Sequence, residues 1–230
     1  MMAPFTSADW ADIRLVAFDV DGTLYRQNPL RLKMARDMLL HTIMKFDFDV
    51  MRVVGVYRRI RERLADEEVS DFDHRLIADT ARLTSRSPNQ VIAIVSEWIA
   101  ERPVPYLRDC LYSGVAQLFD GLRRDGKTIG ILSDYPATAK LAALGLAADH
   151  VIAAPDVGVL KPHPKGLQSL MSAAGATAGE TVYIGDRAER DGRAGERAGV
   201  RTLILSSKAI EGYQTFATFH DPLFTPFQRA

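Results

Sequence analysis

Residues 15–24 read Leu-Val-Ala-Phe-Asp-Val-Asp-Gly-Thr-Leu, an apolar run that stops at two acids spaced by one residue and followed by a glycine. The run 15–18 is short, contains β-branched and aromatic side chains and ends in polar residues, which reads as a buried strand. Asp19 and Asp21 then stand just past the strand's carboxyl end, where both carboxylates can face one cleft. Asp and Gly also favour turns, so the stretch taken alone is compatible with a plain turn. The other strands decide between the two readings.

Four more apolar runs read as buried strands, at 128–132, 151–154, 181–184 and 202–205. Helical periods lie between several of them. Val115, Leu118, Phe119 and Leu122 follow Ser113, a good N-cap, and stop before Gly126. Leu167, Leu170, Met171 and Ala174 run between Pro164 and Gly175. Strands alternating with helices predict an α/β fold with a Rossmann-like parallel sheet of about five strands, covered on both faces. In such sheets ligands bind beyond the carboxyl ends of the strands. Ser133-Asp134, Lys161, and Gly185-Asp186 with Asp191 all fall at that edge. Singly, Ser133 reads as the cap of a helix over 136–144, Lys161 as a surface lysine and Asp191 as a capping acid. Together with Asp19 and Asp21 they read as a site for a hard cation such as Mg²⁺, which takes carboxylate, phosphate and water oxygens. Lys161 would offset the negative charge.

Residues 26–105 have a different texture, with no convincing strand. Val53, Val56, Tyr57, Ile60 and Leu64 form one helical stripe, and Val91, Ile94, Val95, Trp98 and Ile99 another. The second opens on Ser87-Pro88-Asn89-Gln90, a capping box. Phe72, Leu76 and Thr80 suggest a shorter helix, and 32–43 a further one. An inserted α-helical cap domain over 26–105 is expected, returning through Arg102-Pro103-Val104-Pro105 to a core made of 1–25 and 106–230. The tail after Leu205 shows no period that assigns it a role.

The stretch Gly121-Leu-Arg-Arg-Asp-Gly126-Lys127-Thr128 matches a P-loop pattern but in the wrong context. A helix leads into it and a strand leaves it, the reverse of what phosphate cradling requires. Of 230 residues, 29 are Lys or Arg and 29 Asp or Glu, so the chain lacks the basic excess of a wholesale nucleic-acid binder. Cys110 is the single cysteine, so no intrachain disulfide or cysteine-based zinc site is expected and a reducing compartment is the default. The first residues lack a basic region followed by an apolar one, and no apolar run approaches the ~20 residues of a membrane span. A cytoplasmic address without a membrane partner is expected.

Asp19-x-Asp21-Gly22-Thr23-Leu24, Ser133, Lys161 in Leu-Lys-Pro-His-Pro, and Gly185-Asp186 followed by Asp191 resemble the four motifs of the haloacid dehalogenase superfamily of aspartate-nucleophile hydrolases. The insert resembles that family's helical cap. The resemblance implies a Mg²⁺-dependent phosphatase acting on a small phosphorylated metabolite, as a monomer or homodimer. Asp19 would attack phosphorus and Asp21 would act as acid, then base. Ser133 would contact phosphate oxygen, and Lys161 would steady nucleophile and phosphoryl charge. It implies a metal site of Asp19, Asp21 through its carbonyl, Asp186 and Asp191, the last more through waters or Lys161. Thr23, Arg26 and Asp134 are the expected substrate-binding residues. Dehalogenating relatives lack an acid at the position of Asp21, which favours phosphate-ester chemistry. A phosphomutase on a sugar phosphate, or a non-catalytic phosphate-binding protein on the same scaffold, are the rival readings. Asp134 stands where relatives often have Asn, and an extra acid beside phosphate is unhelpful unless it points away. Arg187, Glu189, Arg190 and Arg193 read as a local ion-pair network on a helix face, the alternative being that Arg187 reaches toward the substrate. Arg58, Arg59, Arg61 and Arg63 read as a solvated face balanced by Glu62 and Asp66, the alternative being recognition of a second anionic group by one or two of them.

Overall fold

The computed structural model describes residues 4–46 and 48–228; residues 1–3, Asp47 and 229–230, which the expected domain limits include, lie outside the described residues. Strand β1 (Leu15–Phe18) is followed by helices α1 (Gln27–Lys45), α2 (Asp49–Asp66), α3 (Phe72–Thr84) and α4 (Pro88–Val95). The chain then alternates through α5 (Val115–Arg124), β2 (Thr128–Ser133), α6 (Thr138–Leu144), β3 (His150–Ala153), α7 (Ala154–Val157), α8 (Lys165–Ala174), β4 (Thr181–Gly185), α9 (Arg193–Ala198), β5 (Arg201–Leu205) and β6 (Gln214–Phe216). All strands pair in parallel in the order β3-β2-β1-β4-β5-β6. The chain builds outward from β1 to β3, returns, and builds outward from β4 to β6. The strand order therefore switches direction between β1 and β4, the place where open parallel sheets bind ligands.

Alternate side chains of β1 serve the two faces of the sheet. Val16 and Phe18 join α5 residues Val115, Leu118, Phe119 and Leu122, while Leu15 and Ala17 face Leu167 and Leu170 of α8. A further core lies among the inserted helices, where Val54, Tyr57, Ile60 and Leu64 of α2 meet Phe72 and Leu76 of α3 and Trp98. The capping box of α4 forms as its sequence predicts, Ser87 Oγ accepting from Gln90 N–H and Gln90 Oε1 from Ser87 N–H. The helix continues into a π-helical turn over Ser96–Glu101. α1 begins at Gln27, earlier than its apolar period, and its outer face leaves Leu32, Leu39, Ile43 and Met44 exposed. Among the described residues, no helix is long and apolar enough to cross a membrane.

Several sequence expectations are corrected. Among the described residues the sheet has six strands; β6 is too short for a period to show and is held by its pairing with β5. Ser113 does not cap α5, because its Oγ bonds His220 Nε2 at 2.8 Å and the turn is made by Gly114 at φ +90°. Ser133 does not cap α6, whose N-cap is Ala137. The tail after Leu205 is structural: Phe216, Phe219, Phe224 and Phe227 are buried in the core that includes Trp10 and Phe5. Gly121–Thr128 is the helix-to-strand turn the context predicts, α5 ending at Arg124 and β2 starting at Thr128.

Candidate active site

Asp19 leaves the end of β1 with its N–H donating to Ile184 O of β4 at 2.9 Å, so the two strands set its position at the switch. Asp186 follows β4 directly, and Thr23 bridges the two acids, its hydroxyl 3.2 Å from Asp19 Oδ2 and 3.3 Å from Asp186 Oδ1. Gly22 makes this approach possible. It sits at φ +105°, and a Cβ there would lie 2.8 Å from Asp186 Cγ. The aspartate-glycine pairing in the first motif is therefore a steric requirement of the second acid, beyond any turn preference.

Lys161, brought in by the loop after α7, is buried with its ammonium between two carboxylates. Nζ donates to Asp19 Oδ1, and to Asp191 Oδ1 at 2.7 Å, with Tyr183 OH at 3.3 Å. The reading of Lys161 as a surface residue is thereby excluded. Asp191 is fully engaged. Oδ1 also accepts from Tyr183 OH at 2.8 Å, and Oδ2 accepts from the backbone N–H groups of Asp186 (3.2 Å) and Arg187 (3.0 Å). Burial pushes Asp191 up, but Lys161 and these hydrogen bonds outweigh it and hold the carboxyl low. Lys161 is pushed down by burial and more strongly up by Asp19 and Asp191, so it stays charged. Burial pushes Asp19 up against the opposing Lys161 charge. Asp186 rises to about 7, through burial first and then the charge of Asp191.

Oxygen atoms of Asp19, Asp186 and Asp191 lie within 4.8 Å of one another. Lys161 lies against Asp19 and Asp191, one buried ammonium among three carboxylates. The donor set thus fits a small divalent cation, which prefers such hard oxygens. The carbonyl of Asp21, expected at a metal, accepts from Gln27 Nε2. A carbonyl has a second lone pair, so this contact does not close it to a cation.

The carboxylate of Asp21 has partners that no motif announced. Lys140 of α6 donates to both oxygens at 2.6 and 2.7 Å, and Tyr25 OH donates to Oδ1. Burial pushes Asp21 up; Lys140 and Tyr25 outweigh it and hold the group ionised. Lys140 shares the buried face of α6 with Leu141 and Leu144, and a lysine in an apolar helical stripe was the available signal. Ser133 is buried at the end of β2, its Oγ accepting from Tyr135 N–H at 3.3 Å. Asp134 Oδ1 accepts weakly from Lys161 N–H at 3.4 Å, and its carbonyl accepts from Arg61. Arg26 is exposed and does not line the cleft; its N–H donates to Cys110 O at 2.9 Å.

Beyond the carboxylates opens a cavity of about 480 Å³ between the strand ends and helices α1 and α2. The arginine run divides around it. Arg59 is exposed and Arg63 pairs with Asp79 at 2.8 Å, as a solvated face predicts. Arg61 is instead buried, its guanidinium 3.9 Å from the Tyr135 ring centroid. Arg58 lines the cavity. Glu62 and Asp66 do not balance the run; they bind the fourth-motif arginines. Arg190 meets Asp66 at 2.6 Å and Glu62 at 2.9 Å, and Arg187 meets Glu62 at 3.1 Å. Arg187 also pairs locally with Glu189 at 3.2 Å, so the expected network exists but reaches across to α2.

The sequence model of the family described as haloacid dehalogenase-like hydrolase matches residues 13–199. The chain is 26% identical over 200 residues to the pyrophosphatase PpaX of Bacillus mycoides, covering 84% of each. It is 26% identical over 198 residues to the glyceraldehyde 3-phosphate phosphatase of Methanopyrus kandleri, again covering 84% of each. Its fold is similar to that of the magnesium-bound HAD-hydrolase YfnB of Bacillus subtilis, with a TM-score of 0.67 at 15% identity over 91% of this chain and 96% of that one.

Proposed function

The chain belongs to the haloacid dehalogenase-like hydrolases, and we propose that it is a cytoplasmic, Mg²⁺-dependent phosphatase that works through an aspartyl-phosphate on Asp19. The observation that carries this reading is the convergence of Asp19, Asp186 and Asp191 around one buried lysine, with a fourth acid, Asp21, beside them. The phosphatase names of the two relatives support it.

Asp19 and Asp186 would hold Mg²⁺, with the Asp21 carbonyl as a further oxygen and Asp191 fixing the loop that carries Asp186. When bound, the ion would neutralise charge on the transferring phosphoryl group. Asp19 attacks phosphorus and the alcohol oxygen leaves, so that one difficult displacement becomes two easier ones. Lys161 lies against Asp19 and offsets the charge that gathers on the phosphoryl oxygens. In the second step Asp21 takes a proton from the attacking water, and Lys140 and Tyr25 hold it in the ionised form that this step needs. Protonating the leaving alcohol in the first step needs Asp21 in its acid form, so Asp21 first takes a proton from water or from the monoanionic phosphate monoester and passes it to the alcohol oxygen as the P–O bond breaks, against the pull of Lys140. Thr23 keeps Asp19 and Asp186 in register, and Ser133 and Asp134 border the phosphoryl position.

The test is Asp19→Asn, which keeps the shape of the side chain and removes its nucleophilic charge. Phosphate release from an aryl phosphate should fall by at least about a thousandfold with the thermal unfolding transition retained. Near-wild-type turnover would overturn the covalent scheme. Chelation should abolish turnover and Mg²⁺ restore it; Ca²⁺, with longer and looser coordination, should restore it poorly.

A further inference from the structure

We propose that the leaving group of the substrate is an apolar alcohol: the site takes phosphate monoesters of alkyl, alicyclic or aromatic alcohols in preference to polyhydroxylated or doubly phosphorylated ones. The inference rests on the phosphatase reading and specifies its substrate class.

The cavity of about 480 Å³ is within the range that encloses a small organic molecule. Its two ends differ in chemistry. Asp19, Asp21, Lys161 and Asp191 form the end that would receive the phosphoryl group. Facing them are Leu30, Met34 and Met38 of α1, Met51 and Val54 of α2, and Trp98. Methionine is unbranched and polarisable, so three of them make a wall that adapts to apolar groups of varied shape.

Most of the polar side chains along the cavity are paired with one another or with nearby backbone. Arg61 donates to the Asp134 carbonyl and stacks on Tyr135. Arg187 and Arg190 are bound to Glu62 and Asp66. Lys140 is bound to Asp21, and Arg31 donates to Gln27 Oε1. Among the described residues that line the cavity, Arg31 and Arg58 are exposed and meet a substituent only on the solvent side, and the unpaired Trp98 Nε1–H can donate to one oxygen. A hexose would bring several hydroxyls against Leu, Met and Val, and each buried hydroxyl without a partner opposes binding. A second phosphate, as a phosphomutase's bisphosphate or pyrophosphate would place there, meets the same wall with a full charge.

Gly55 points the same way. It lies mid-way along α2, lines the cavity, and a Cβ built on it meets nothing within 4 Å. Glycine inside a helix costs stability relative to alanine. No neighbour forces that cost on α2, and the lack of a side chain keeps that part of the cavity wall open.

The experiment compares cyclohexylmethyl phosphate with glucose 6-phosphate under saturating Mg²⁺, measuring phosphate release. Both carry phosphate on a CH₂–O group attached to a six-membered ring, and they differ in the ring oxygen and hydroxyls. The kcat/KM for cyclohexylmethyl phosphate should exceed that for glucose 6-phosphate, and that for pyrophosphate, by at least about tenfold. A second arm uses Gly55→Leu, which fills empty space and favours the helix, so folding is retained. It should lower kcat/KM for cyclohexylmethyl phosphate relative to methyl phosphate by about tenfold. Preference for glucose 6-phosphate or pyrophosphate overturns the inference and leaves the phosphatase reading standing. An unchanged ratio in Gly55→Leu overturns the placement of the alcohol in this cavity. No phosphate release from any of these compounds, or from acetyl phosphate, overturns the phosphatase reading and the inference together.

Discussion

Burial, and then the charge of Asp191, pushes the Asp186 carboxyl up to about 7, whereas an unfolded aspartate titrates at ~3.9. Between those values the folded chain keeps a proton that the unfolded chain has lost. Without metal, stability therefore falls as pH rises from about 4 to about 7. Asp21 and Asp191 are held low, so their contribution is present at neutral pH and lost only as pH falls below the usual carboxylate range. The midpoint of thermal unfolding of metal-free protein should thus be lower at pH 7.5 than at pH 5.5, and Asp186→Asn should reduce that difference, the remainder coming from Asp19, which burial also pushes up. Added Mg²⁺ should raise the midpoint more at pH 7.5 than at pH 5.5, because a cation binds the ionised form. Differential scanning fluorimetry at the two pH values checks both. Trp98 offers a second residue-level test. Its indole Nε1 is buried with no hydrogen-bond partner in the structure, while the ring packs 4.1 Å from the Arg102 guanidinium and 5.0 Å from His41. Phenylalanine would keep much of the ring packing and remove the unsatisfied donor. Trp98→Phe should then unfold in urea within ~1 kcal/mol of wild type, whereas Trp98→Ala should cost ~3–5 kcal/mol.

Helix α2 does three jobs with consecutive turns. Its apolar stripe of Val54, Tyr57, Ile60 and Leu64 buries it among the inserted helices. Arg58 and Gly55 face the cavity, and Arg61, Glu62 and Asp66 hold the helix to loops at the strand ends. These holds are unequal. Arg61 is buried, stacked on Tyr135 and bonded to the Asp134 carbonyl, so Arg61→Ala loses a desolvated cation–π contact and leaves that carbonyl unpaired. Its expected cost is ~2–3 kcal/mol in urea unfolding. Asp66 is 71% exposed, and Glu62 still meets Arg190 when Asp66 is gone. Asp66→Asn should cost less than ~1 kcal/mol, a loss that added salt shrinks further. The stripe and the capping box of α4 were legible because they depend on residues three or four apart. The partners of Arg61 and Arg190 were not, since Asp134 and Asp66 lie far along the chain from them.

At the scale of the whole molecule, the two ends of the described chain close one core. Phe224 is buried against Trp10, Phe216 and Phe219, with ring centroids 6.0, 5.0 and 5.8 Å away. Trp10 Nε1 donates to Leu223 O at 2.7 Å, and Gln214 bonds the backbone of Phe5 at both its N–H and carbonyl. The cluster packs against the face of the sheet that carries Val16 and Phe18, so it supports the strand that presents Asp19. Phe224→Ala should destabilise the protein by ~3–5 kcal/mol, read from a chemical denaturation midpoint at unchanged slope.

Five of the described strands, their parallel arrangement and the edge where Asp19, Asp21, Lys161, Asp186 and Asp191 gather were determined by the sequence alone. Apolar runs of strand length, helical periods between them and acids just past strand ends are local signals, and the rule that places ligands at those ends does the rest. Only the tertiary structure decided how the charges are shared. The sequence places Lys161 at the acidic edge, but only folding sets its ammonium between Asp19 and Asp191, and Lys140 reads as an ordinary helix residue until α6 turns it onto Asp21. The strand β6 and the aromatic tail likewise acquire their roles from partners that lie far away in sequence. Periodicity reports which face of an element is buried, whereas a charged pair or an aromatic contact depends on which two distant segments meet. That meeting is set by the packing of all the elements at once.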